Sequence, residues 1–187
     1  MEIASPKLRQ LYAHWVSRTH ARFPRPSEFH PSDLRFILGG LSLIEVHREP
    51  LRFLYRLHGT EMARWVGFDL TGKFIGQCPN QSWAALAARH LKEVAISGEP
   101  SIAWHFDEIV GNQYWNLEAL VLPISRDGIN LDMMISAVDP NRRGTRALPQ
   151  SPPPTKPRGP NLGLYPEIWV GAHHRRSNVA SAASSRH

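Results

Sequence analysis

The chain has 187 residues, 42% hydrophobic and 20% charged, enough apolar material for a packed core, so wholesale disorder is excluded. A single cysteine, Cys78, excludes a disulfide framework and any multi-cysteine zinc site. The formal charge of +6 is unevenly placed: residues 1–140 carry 14 Lys/Arg against 15 Asp/Glu, whereas residues 141–187 carry 8 against Glu167 alone, so no folded basic surface for nucleic acid is implied.

Residues 6–22 read as an amphipathic helix, with Leu8, Leu11, Tyr12, Trp15 and Val16 on one face, Ser5 as N-cap and Pro6 at the first position. Pro24 and Pro26 end it, and Pro31 to Leu38 suits a short helix closed by Gly39-Gly40. Leu41 to Val46 and Arg52 to His58 read as two strands of a hairpin turned at Glu49-Pro50. Residues 60–66 suit another short helix, and Gly67 to Gly72 is loop chemistry. The longest helix runs from about Gln81 to Ile96, capped by Asn80 and stopped by Gly98. Three strands follow at 101–107, 113–122 and 131–138, the last two joined by Arg126-Asp127-Gly128. The short connections make this an α+β domain with an antiparallel sheet.

A boundary is expected at Asp139-Pro140. Seven of the 16 prolines lie beyond residue 140, so 141–187 reads as a Pro-rich basic tail without a core of its own, expected to be disordered. No apolar run approaches the roughly 18–20 residues of a bilayer span, and the N-terminus has no signal-peptide pattern, so a cytoplasmic location is expected.

In this order the chain resembles a PAS domain of the short, stand-alone bacterial type. Phe53-Leu54-Tyr55-Arg56-Leu57-His58-Gly59-Thr60, Gly67-Phe68-Asp69-Leu70-Thr71-Gly72-Lys73 and Gly98-Glu99-Pro100 carry the resemblance, with Leu120 to Ser125, Asp127-Gly128 and Leu131 to Met134. The resemblance implies a domain over residues 1–140, a five-stranded sheet in the order 2-1-5-4-3, and helices on one face enclosing a small cavity. It also implies a sensory role rather than catalysis, with a small ligand or a partner protein as the input. A homodimer through the N-terminal helix or the sheet is implied too.

The candidate cavity residues are Tyr55, Leu57, Met62, Trp65, Leu86, His90, Leu120, Met133 and Ile135. His90, on the apolar face of the long helix, keeps open a haem-binding gas or redox sensor, because a neutral imidazole in an apolar cavity can ligate iron. A polar anchor for a ligand could come from Arg56, His58, Asn116 or Glu118, which alternate with apolar neighbours. His105 and Asp107, on one face of a strand, keep open a small α+β-pocket enzyme. A pure protein-interaction module with a closed core is the remaining alternative. Gly67-x-x-x-x-Gly72-Lys73 approaches a phosphate loop, but Phe74 stands where Ser or Thr is needed, and the stretch follows a helix. Gly76-Gln77-Cys78-Pro79-Asn80 does not match a flavin-adduct cysteine motif. The residues name no cofactor, ligand or partner.

Overall fold

The computed structural model describes residues 2–19, 21–109 and 113–140, with backbone alone over 105–109, 113–116 and at 140. The expected tail, 141–187, lies outside the described residues.

Helix α1 spans Pro6–Ser17. The Ser5 hydroxyl accepts the Leu8 N–H at 3.2 Å and Pro6 opens the first turn. The helix stops five residues before the expected residue 22. Residues 23–25 are needed elsewhere: the Phe23 N–H donates to Gly128 O at 3.1 Å, and Pro24 O accepts the Ser125 N–H at 2.9 Å. That tethers the segment to the far end of the sheet. The short helix expected over Pro31–Leu38 is a run of turns with three-residue bonds, Leu34 N–H to Pro31 O and Ile37 N–H to Leu34 O. It closes in a 3-10 turn at Leu38–Gly40.

Strands β1 (Leu41–Arg48) and β2 (Leu51–His58) form the hairpin, whose Glu49-Pro50 bond is cis. Helix α2 is Thr60–Val66, closed by Gly67 in the left-handed region at φ 75°. Helix α3 is Gln81–Ser97; Asn80 Oδ1 accepts the Trp83 N–H at 3.1 Å, and Gly98 at φ 72° ends it. Strands β3 (Ser101–Ile109), β4 (Gln113–Ile124) and β5 (Met133–Pro140) complete one antiparallel sheet in the order β2-β1-β5-β4-β3, as the resemblance implied.

The sheet buries both faces. On the inner face, α2 and α3 pack over Ile44, Val46, Phe53, Tyr55, Leu117, Ala119, Val121, Met134 and Val138. On the outer face, Leu8, Leu11 and Trp15 of α1 pack over Leu120, Leu122, Ile124, Met133, Ile135 and Ala137. The N-terminal helix therefore covers the face opposite α2 and α3. Burying Leu8, Leu11 and Trp15, each worth about 1.5–3 kcal/mol, is the main force that seats it.

Candidate functional site

The inner face closes over a cavity of about 30 Å³ between α3 and the sheet. Its walls come from every layer above the sheet: Tyr55 from β2, Met62 from α2, Trp83, Leu86 and His90 from α3, and Leu117, Ala119, Val121 and Val138 from β4 and β5. Ser42 and Ser136, paired across β1 and β5, add two hydroxyls. The space is large enough for a water or two and far below the several hundred Å³ of a drug-sized ligand site. A porphyrin does not fit it as folded, so His90 lines the cavity with no room beside it for haem. Among the described residues no cluster of three or more His, Cys, Asp or Glu could hold a metal ion.

Four of the nine expected cavity residues line this space: Tyr55, Met62, Leu86 and His90. The others do not. Trp65 packs partly buried against the inner core, away from the cavity. Leu57 is 45% exposed. The β1–β2 register shifts between Leu43 and Ile44, so Ile44 pairs with Tyr55, Leu43 with Leu57 and Ser42 with His58, and the extra residue on β2 is Arg56. This bulge breaks the alternation, turning Tyr55 and His58 inward and Leu57 out. Leu120, Met133 and Ile135 lie on the outer face under α1. Both faces of β4 and β5 are apolar, so their hydrophobic pattern does not tell which residues face in.

His58 touches three of the lining residues, Ser42, Tyr55 and Trp83. Its Nδ1 lies 3.1 Å from the Ser42 hydroxyl, and its ring meets Tyr55 and Trp83 edge-on at 5.2 and 6.2 Å. Burial drives its pKa down to about 4, with nearby Asp69 opposing the shift, so the imidazole is neutral at pH 7. Its buried Nε2 has no hydrogen-bond partner among the described residues. Burial raises the Tyr55 pKa, keeping the phenol protonated. Ser42, Tyr55, His58 and Ser136 thus give the inner core neutral donors and acceptors and no fixed charge.

The charged group is on the other side. Glu118, fully buried between Leu117 and Ala119 in sequence, points outward and accepts the N–H groups of Ala4 and Ser5 at 2.7 and 2.6 Å. Its cross-strand neighbour Asp139 accepts the Ser5 hydroxyl at 2.6 Å and lies 3.7 Å from Lys7 Nζ. Two adjacent carboxylates repel. Here they are held by the positive end of α1, by a hydroxyl and by a lysine. Trp15 Nε1 adds a bond to Pro123 O at 2.8 Å. Glu118 is therefore a tether for α1 and not a cavity anchor. Arg56, also a candidate anchor, is exposed and 3.9 Å from Glu45. The side chains of Asn116, His105 and Asp107 fall outside the described residues.

The near-phosphate loop has a structural task. Tyr55 N–H donates to Lys73 O at 3.0 Å and Gly72 N–H to Tyr55 O at 2.7 Å, so the loop covers the open edge of β2. Lys73 Nζ is occupied by Asp69 O at 3.0 Å and the Phe68 ring. Cys78 is buried, and burial raises its pKa, so it is a thiol at pH 7. The apolar stripe of α1 is covered by its own sheet. Its outward side is open, with Val16 49% exposed.

The sequence model of the PAS domain family matches residues 3–135, which takes in α1 and the sheet as far as the third residue of β5. The chain belongs to the PAS domain family. PAS domains are in general sensory modules rather than enzymes. No curated protein matches the chain. Among solved structures, Vibrio cholerae VqmA in a complex with ligand and DNA is 11% identical, with a TM-score of 0.48 over 62% of this chain and 52% of that one. VqmA bound to DPO is 10% identical, with a TM-score of 0.44 over 53% of this chain and 51% of that one. A variant of RsLOV is 10% identical, with a TM-score of 0.39 over 78% of this chain and 73% of that one. The chain spans about half the length of the VqmA chains. Among the described residues, no helix is long and apolar enough to cross a membrane.

Proposed function

We propose that this PAS domain is a cytoplasmic sensory module whose inner core is coupled to the seating of α1, and that it relays its state by protein–protein contact. One observation carries this reading. Leu117 and Ala119 wall the cavity while Glu118, between them on β4, holds the N-terminus of α1 on the opposite face. β5 repeats the arrangement, with Ser136 and Val138 toward the cavity and Asp139 on Ser5. Any change that spreads β4 and β5 around the cavity displaces the two carboxylates that position α1. The cavity is the input and α1, alone or paired with a second copy, is the output.

Hydrogen exchange on the full chain tests the coupling. Ala119→Leu adds volume that about 30 Å³ cannot absorb, mimicking an occupied core. Faster exchange of the α1 amides, with the β1–β2 hairpin still protected, is the expected result. Unchanged α1 exchange in a folded variant overturns the reading.

The small cavity favours one second reading, an interaction module whose core stays closed. Native mass spectrometry of the full chain, purified gently from cells, separates the two. A reproducible extra mass supports a small ligand and gives its class, whereas a bare chain that retains a partner protein supports the interaction module. A Soret band after addition of haem would reopen the gas-sensor reading at His90.

A further inference from the structure

A second, larger depression lies outside the core, where the start of β2, the 3-10 turn Ile75–Gln77 and the outward side of α3 meet. It encloses about 500 Å³, within the range of small-molecule sites. Its floor is apolar: Phe53 and Ile75, both buried, with Leu51, Ala88 and the Phe74 ring. Its rim carries three cations, Arg52, Arg89 and Lys92. The Arg52 guanidinium sits 4.5 Å over the Phe74 ring, an orientation that leaves its N–H edge for an oxyanion. None of the three rim cations has an acidic partner among the described residues. The described ion pairs engage other cations: Glu45 takes His47, Arg56 and Arg126, Asp132 also takes Arg126, and Asp139 takes Lys7. Residues 141–187 offer one acid, Glu167, against 8 Lys/Arg, and are the wrong sign to complement this rim.

An apolar floor ringed by uncompensated cations matches a molecule with an apolar body and one anionic end. Three cations are too few for the phosphate ladder of a nucleic acid, and a sunken floor has no use for a purely electrostatic partner. We propose that this groove is a second ligand site, separate from the inner cavity, and that it takes a small aromatic carboxylate. The ring lies against Phe53, Phe74 and Ile75, and the carboxylate is held by Arg89 and Lys92, with Arg52 closing over it.

The test is titration of the full chain with 2-naphthoate and with its neutral isostere 2-naphthamide. Saturable binding of the carboxylate, about tenfold or more tighter than the amide, is expected, as is a similar loss in Arg89→Gln/Lys92→Gln. Both positions are exposed, so the fold has no need of them. Gly76 supplies an independent variant. A side chain there meets open space within 4 Å, and Gly76→Trp is expected to occlude the groove and abolish binding in a folded protein. Equal binding of acid and amide, binding that survives both variants, or no saturable uptake overturns the proposal. Binding to phosphatidylglycerol vesicles that Gly76→Trp leaves intact, without naphthoate uptake, would also overturn it and assign the cations to a membrane surface.

Discussion

Replacing Glu118 by glutamine exchanges one carboxylate oxygen for an amide NH₂ in a site where both oxygens accept backbone N–H bonds, at 2.7 Å from Ala4 and 2.6 Å from Ser5. The glutamine carbonyl can keep one bond. Its NH₂ then faces a second N–H, donor against donor, in a position with no access to water. A charge-assisted bond contributes about 1.5–3 kcal/mol, and the stranded donor costs about 1–3 kcal/mol. Relief of the buried charge and of its repulsion with Asp139 offsets part of this, leaving a net loss of about 2–3 kcal/mol. For a domain of this size that lowers Tm by about 6–12 °C. Thermal unfolding of the full chain at pH 7, followed by circular dichroism, measures the loss. Hydrogen exchange locates it, with α1 amides expected to exchange before those of β1 and β2. A drop below about 2 °C with α1 protection unchanged would refute the reasoning, because apolar contact alone would then seat the helix.

Four further outcomes follow from the structure. The unfolded chain takes up a proton at His58 near pH 6.5 while the folded chain resists to about pH 4, so this residue's contribution is complete above pH 6.5 and is lost as pH falls toward 4. Urea unfolding at pH 7.5 and pH 5 should differ by about 2 kcal/mol through this group, and a slope that survives His58→Phe removes it as the cause. Gly59→Ala drives a Cβ into the carbonyls of Gly39 and Leu41, the latter at 2.6 Å, and should cost about 3 kcal/mol. Gly76→Ala should stay within about 0.5 kcal/mol in the same denaturation assay. Leu57→Ser should also stay within about 0.5 kcal/mol, whereas Leu120→Ala should cost about 2–5 kcal/mol, and equal effects would contradict the exposure of Leu57 against the burial of Leu120.

The order of elements was legible because each rests on local chemistry. Ser5 with Pro6, Asn80 and Gly98 mark helix ends by satisfying or relieving backbone groups within a few residues. Alternation and the Glu49-Pro50 turn set the first hairpin in the same way. The cavity was half legible. Tyr55 and Met62 belong to elements with one buried side, and Leu86 and His90 to a helix whose period can be read. Glu118 was visible only as a polar residue in an apolar strand, a signal that marks a buried partner without saying on which face.

The amino-acid sequence by itself determined the element order, the antiparallel α+β class and the family, because capping, turn chemistry and apolar period act over short stretches of chain. The tertiary structure alone decided which way β4 and β5 face. Those strands are apolar on both sides, and their direction is set by α1 arriving from more than a hundred residues away to bond Glu118. It also decided that Leu57 faces out, because the bulge arises only where two strands pair out of step. The groove beneath Arg52, Arg89 and Lys92 has the same origin: its residues come from three separate elements, and no local pattern connects them.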